Sequence, residues 1–124
     1  MLDDLYLETI LEEYAHPKNK KRLEQFDVTV SESNSSCGDQ IEVFLKFDPA
    51  DVIEDVSWQG VGCAISMATA SVLSEYLKGK TRAEVALLTK EDLEAMLGLH
   101  QIAVGREKCL LLALTAFRKA VEHP

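Results

Sequence analysis

Four residues of this 124-residue chain could do metal or sulfur chemistry together: Cys37, Asp39, Cys63 and Cys109. Three thiols cannot all pair within one chain, and a cytosolic chain keeps them reduced. Each is therefore a core residue, a nucleophile or a metal ligand, and for an isolated cysteine the core is the ordinary place. In Ser36-Cys37-Gly38-Asp39, cysteine and aspartate stand two apart across a flexible glycine, so both side chains can turn toward one ion. Gly60-Val61-Gly62-Cys63 brings a backbone free of side-chain bulk up to the second thiol. Glycines there permit positive φ or the close approach of a ligand or partner.

The elements that must position these residues follow from periodicity. Leu2–Tyr14 has Leu7, Ile10, Leu11 and Tyr14 at helical spacing, with Asp3 and Asp4 suited to its N-terminus. His16-Pro17 ends it, and Lys18–Arg22 is a short basic run with the character of a solvated face. Three strands follow: Phe26, Val28 and Val30 alternate with polar residues, Ile41, Val43, Leu45 and Phe47 alternate with Glu42, Phe44, Lys46 and Asp48, and Val52–Gln59 is less cleanly patterned. Asp48-Pro49-Ala50-Asp51 reads as the turn between the second and third. Such short connections favour an antiparallel meander with one buried face.

After Gly62 the period changes to helical. Ala64–Lys78 is apolar nearly all round and is expected to be buried, with Gly79 as its stop. Thr81-Arg82-Ala83-Glu84 has capping-box form and opens a short helix; Thr89–Leu97 is another, ending at Gly98. A final helix runs from Glu107 to Val121, with Leu110, Leu111, Leu114, Phe117 and Val121 for packing. The fold class is α+β, a small antiparallel sheet covered by helices, with 1–124 expected to form a single domain.

On this frame Cys37 lies in the Ser33–Gly38 loop, Cys63 where the third strand gives way to the buried helix, and Cys109 in the first turn of the last helix. Two thiols thus stand at helix N-termini, where the dipole favours thiolate, the form that binds metal or attacks sulfur. A structural cysteine more naturally sits in the middle of an element.

Composition narrows the function classes. The net charge is −8, from 13 Lys and Arg against 21 Asp and Glu, which argues against a nucleic-acid partner. The longest apolar stretch, around Leu110–Leu114, is far too short to span a bilayer, and the start Met1-Leu2-Asp3-Asp4 is no signal sequence. A cytoplasmic location is the expectation.

Taken together, Tyr14, Pro17 and Asn19, Cys37-Gly38-Asp39, Gly62-Cys63-Ala64-Ile65-Ser66, Lys78-Gly79-Lys80-Thr81 and Lys108-Cys109 resemble, in order and spacing, the IscU-like family. That family comprises IscU, SufU and the N-terminal domain of NifU, and the resemblance covers nearly the whole chain. It implies a three-stranded antiparallel sheet packed with an N-terminal helix and several C-terminal helices. It also implies that Cys37, Cys63 and Cys109 are cluster- or zinc-binding cysteines and Asp39 the essential aspartate. By the same resemblance, sulfur comes from a cysteine desulfurase. Some members then assemble a [2Fe–2S] cluster and pass it to apo iron–sulfur acceptor proteins. SufU-type members instead bind zinc and relay sulfur.

Such a ligand set suits exchange. Three thiolates and a carboxylate make a sulfur-rich site of the kind zinc and iron–sulfur clusters prefer. The harder carboxylate, Asp39, is the expected weak link, whose release opens a coordination position.

The chain also departs from the family pattern. Lys108 stands where IscU-type members have histidine; a protonated lysine offers no lone pair to a metal. It either activates Cys109 as a thiolate through its charge or is a solvent-facing helix residue. Lys108, with Arg106, resembles SufU. Ile102-Ala103-Val104-Gly105-Arg106 replaces the proline-containing chaperone motif of IscU, which argues against dependence on an Hsp70-type chaperone. Yet Cys109 follows Cys63 by only 46 positions, without the insertion of SufU-type members. Glu13 replaces the histidine usual before the tyrosine of the first-helix exit. Among the histidines, His16 fits a helix end and His123 the C-terminus, while His100 is either a loop residue or one that approaches the site.

Three functions are consistent with these residues. One is a scaffold that accepts sulfur and holds a nascent [2Fe–2S] cluster. The second is a zinc-dependent sulfur relay, with Cys109 as persulfide acceptor and Lys108 activating it. The third is a zinc-stabilised interaction module without transfer chemistry. The first two describe a scaffold or sulfur carrier rather than a conventional enzyme, with sulfurtransferase activity possible in the second.

Overall fold

A computed structural model describes residues 4–34, 38–98 and 107–122. The elements run α1 (Asp4–Ala15), β1 (Val28–Asn34), β2 (Asp39–Phe47), β3 (Ile53–Val61), α2 (Ala64–Tyr76), α3 (Arg82–Ala86), α4 (Lys90–Leu97) and α5 (Glu107–Glu122). The strands form an antiparallel meander in the order β1-β2-β3. This is the expected α+β arrangement.

The sheet's inner face is set by alternation along β2. Ile41, Val43 and Leu45 are buried with Val56 and Trp58 of β3 under α2 and α5. Because the side-chain period is two, Asp39 falls on this same inner face at the start of β2, and only 2% of it is exposed. The β1–β2 pairing brings the end of β1 against it. The register is fixed by the pairing of Asn34 with Asp39 and by Gly38, whose φ of 75° closes the turn as its N–H donates to the Asn34 carbonyl at 2.8 Å.

Two features differ from the sequence expectation. β1 begins at Val28, not Phe26, and continues through the polar residues Ser31-Glu32-Ser33-Asn34, which hairpin pairing holds in a strand that propensity alone would not favour. Phe26 instead crosses to the outer face of the sheet. There its ring meets that of the fully buried Phe44 edge-on at 5.2 Å, with the Arg22 guanidinium over both rings. The chain between α1 and β1 therefore covers part of the second face. Lys20 of the same segment bridges to Trp58, whose Nε1 donates to the Lys18 carbonyl at 2.9 Å. The basic run is stitched to the sheet rather than wholly solvated.

Elsewhere local chemistry decides the boundaries as expected. Asp48 Oδ1 accepts from the Ala50 and Val52 amides at 2.9 and 3.0 Å, closing the β2–β3 turn. Thr81 and Thr89 both form complete capping boxes, and Gly98 ends α4 in the left-handed region. Glu13 joins α1 to α2 by accepting from Ser71 Oγ at 2.7 Å and pairing with Lys18. Among the described residues no helix is long and apolar enough to cross a membrane.

Candidate metal centre

Three elements meet at one end of the sheet. β2 supplies Asp39 on its inner face; Cys63 is the N-cap of α2; Cys109 is the third residue of α5. One donor atom from each of Asp39, Cys63 and Cys109 lies within 4.8 Å of the others. Around a tetrahedral zinc, with Zn–S near 2.3 Å, two sulfurs stand about 3.8 Å apart. The three donors are thus gathered almost to ligand spacing, and their chemistry fits zinc or an iron–sulfur cluster. Cys37, like His100, Arg106, His123 and the Ile102–Arg106 stretch, lies outside the described residues.

The local sequence explains the convergence. A Cβ at position 62 would lie 2.7 Å from Asp39 Oδ1 and 2.8 Å from its Cγ, and one at position 60 would collide with the Gln40 carbonyl oxygen. Both glycines are therefore required for close approach, one of the two reasons anticipated for them, and neither has positive φ. Cys63 follows at once with extended backbone, φ −70° and ψ 165°, and its sulfur accepts from the Ser66 amide at 3.5 Å, as a capping side chain does.

Asp39 is a buried carboxylate, and such a group is costly unless it is well solvated by protein. Its Oδ1 accepts from the Cys63 amide at 3.0 Å, and its Oδ2 from the Ser66 hydroxyl at 2.5 Å. Both donors belong to the N-terminal turn of α2, whose unpaired amides and dipole favour an anion. Ser66 is 1% exposed and also lies 3.2 Å from the Cys109 carbonyl and 3.5 Å from Cys63 Sγ. It touches all three donor residues, yet sequence reasoning did not single it out. The available signal was its place three residues after Cys63, the spacing of a residue that shares a helix N-terminus with its cap.

The two thiols differ in access. Cys109 is 4% exposed and Cys63 is half-buried; neither forms a disulfide. Lys108 is exposed and lines a shallow groove of about 260 Å³ with Glu32, Ser33, Asn34, Leu111, Leu112 and Thr115, between the end of β1 and α5. At the start of α5, Glu107 pairs with Lys90 of α4 at 2.5 Å, and this hydrogen bond raises the Lys90 pKa above its ordinary value. His16 is exposed beyond the end of α1.

The family model described as the NifU-like N terminal domain matches residues 5–123. The chain belongs to this family. As a NifU-like domain it is 33% identical to the zinc-dependent sulfurtransferase SufU of Bacillus subtilis, over 97% of this chain and 91% of that protein. That match runs over 137 positions, more than the 124 residues of the chain, so the relative carries residues with no counterpart here. The domain is also 31% identical to the iron–sulfur cluster assembly scaffold protein IscU 1 of Archaeoglobus fulgidus, over 94% of this chain and 74% of the relative. Among solved structures it is similar to a putative iron–sulfur cluster assembly scaffold protein for the SUF system from Fervidobacterium islandicum. There the TM-score is 0.79 at 28% identity, with 92% of this chain and 94% of that one covered. The expected IscU-like fold and family thus agree with sequence and structural relatives alike.

Proposed function

We propose that this protein is an iron–sulfur cluster assembly protein that accepts sulfur from a cysteine desulfurase and holds a nascent [2Fe–2S] cluster for transfer to apo acceptors. The observation that carries this reading is the convergence of Asp39, Cys63 and Cys109, with donor atoms within 4.8 Å, at the junction of one strand and two helix N-termini. Cys37, two residues before Asp39 in the chain, completes the proposed ligand set. One carboxylate among three thiolates makes a site that opens, whereas a structural zinc site is normally closed by four strong ligands. A domain spanning 1–124 working in the cytoplasm is part of the same proposal.

Sulfur uptake is thiol–persulfide exchange. The Cys109 thiolate attacks the outer sulfur of the desulfurase persulfide; the new S–S bond forms on Cys109 as the old one breaks, and the desulfurase cysteine leaves as thiolate. No net oxidation occurs, so no further reagent is needed. Lys108, one position before Cys109, is the residue proposed to favour the attacking thiolate.

A second reading, zinc-dependent sulfur relay, is favoured by Lys108 in place of histidine and by the identity to SufU. In that case Cys37, Asp39, Cys63 and Cys109 would hold the zinc, whose charge would favour the thiolate form of the cysteines. Incubation with desulfurase, cysteine and iron under anaerobic conditions, followed by a thiol reductant that supplies the electrons for sulfide, separates the two. A chromophoric cluster that moves to an apo acceptor supports the scaffold; persulfide on the chain without a cluster supports the relay.

A further inference from the structure

We infer that Ser66 is a positioning residue for metal exchange: its hydroxyl holds the Asp39 carboxylate against the N-terminus of α2 and so competes with the metal for that ligand. The inference rests on the reading that Asp39, Cys63 and Cys109 bind a metal, and it says what sets the lability of that site.

A ligand that leaves a buried metal needs another partner, because a carboxylate only 2% exposed cannot turn to water. Here the partner is built in. The Cys63 amide reaches Oδ1 at 3.0 Å, and the Ser66 hydroxyl reaches Oδ2 at 2.5 Å, a short charge-assisted hydrogen bond. The first turn of α2 thus offers each carboxylate oxygen a donor when it is not a ligand, with the Cys63 thiol also 3.6 Å from Oδ2. Ser66 has one proton to give and a second acceptor within range, the Cys109 carbonyl at 3.2 Å. When Asp39 turns to the metal, the hydroxyl redirects its hydrogen bond to that carbonyl and stays satisfied. The Ser66 hydroxyl is thus stranded in neither position and does not oppose passage of the carboxylate between them. Removing the hydroxyl takes away part of the off-metal position and leaves the metal-bound one intact.

The test is a double-mutant cycle on zinc release. The parent, Ser66→Ala, Asp39→Ala and the double variant are loaded with one zinc under anaerobic conditions, and transfer to a metallochromic chelator is followed by stopped flow. Loss of a hydrogen bond to a charged acceptor corresponds to about a tenfold change. Ser66→Ala is therefore expected to slow release about tenfold when Asp39 is present and to leave it unchanged in the Asp39→Ala background. Ser66→Thr, which restores the hydroxyl, returns the rate to near the parent value. The visible spectrum of the cobalt-loaded proteins gives a readout independent of rate: Ser66→Ala shifts the ligand-field bands only where Asp39 remains. Alanine is the strongest helix former, and thermal unfolding checks that each variant is folded.

Faster or unchanged release in Ser66→Ala overturns the inference, as does an equal effect in both backgrounds, which would mark a merely structural role for α2. A slow Ser66→Thr variant overturns the assignment to the hydroxyl. Zinc binding by the parent with no Ser66 effect sinks this inference alone, whereas a parent that binds no zinc, cobalt or iron sinks the metal-site reading with it.

Discussion

Gly62 lies directly against Asp39: a Cβ on the glycine would stand 2.7 Å from the carboxylate Oδ1. The glycine before the second cysteine is thus a space-keeper for the aspartate after the first. Gly62→Ala is expected to push the carboxylate out of place, so that the labile ligand is lost while the thiolates remain, and to slow metal release several-fold as Asp39→Ala does. Transfer to a chelator followed by stopped flow measures it. Parental release in this variant would show that the position of Asp39 does not set exchange.

Asp39→Ala is predicted to act on release more than on binding. The thiolates remain as ligands while the exchangeable one is gone, so metal or cluster is expected to leave several-fold more slowly. Abolished binding would contradict the role of Asp39 as the labile ligand.

Cys109→Ser is expected to abolish persulfide uptake from a cysteine desulfurase, read by radiolabelled sulfur or by mass. Undiminished labelling would move the acceptor role to another cysteine, with the half-buried Cys63 next in line.

Lys108→Ala separates the two sequence interpretations of that residue. If its charge assists Cys109, sulfur uptake slows while metal affinity is unchanged. Its exposed position beside Glu32, Ser33 and Asn34 makes loss of fold an unexpected result, and circular dichroism checks this. Unchanged uptake would mark Lys108 as a plain helix-surface residue.

Much of this site could be read from the chain because its determinants are local. The alternation of Ile41, Val43 and Leu45 marked β2 and its buried face, the capping box at Thr81 marked the start of α3, and Gly98 marked the end of α4. Cys63 and Cys109 were placed at helix starts because the change of period at Gly62 and the apolar spacing after Glu107 are sequence features. What local pattern could not supply was register. Alternation puts Asp39 on the inner face of β2, but the strand extends back to Asp39 by pairing with Asn34, and β1 reaches Asn34 through residues of low strand propensity. Ser66 was not singled out for a similar reason: its contacts are with Asp39 and Cys109, 27 and 43 positions away. The packing of Phe26 on Phe44 joins residues on either side of β1, and no periodicity encodes it.

The central claim is that Cys37, Asp39, Cys63 and Cys109 form one exchangeable site for cluster assembly. Metal and acid-labile sulfide analysis of protein purified anaerobically, before and after incubation with iron, cysteine, a desulfurase and a thiol reductant that supplies the electrons for sulfide, tests it most directly. The prediction is a chromophoric [2Fe–2S] cluster that forms on the chain, depends on Cys37, Cys63 and Cys109, leaves more slowly when Asp39 is replaced, and transfers to an apo acceptor. One tightly held zinc per chain, with no cluster formed under those conditions, would contradict the scaffold role.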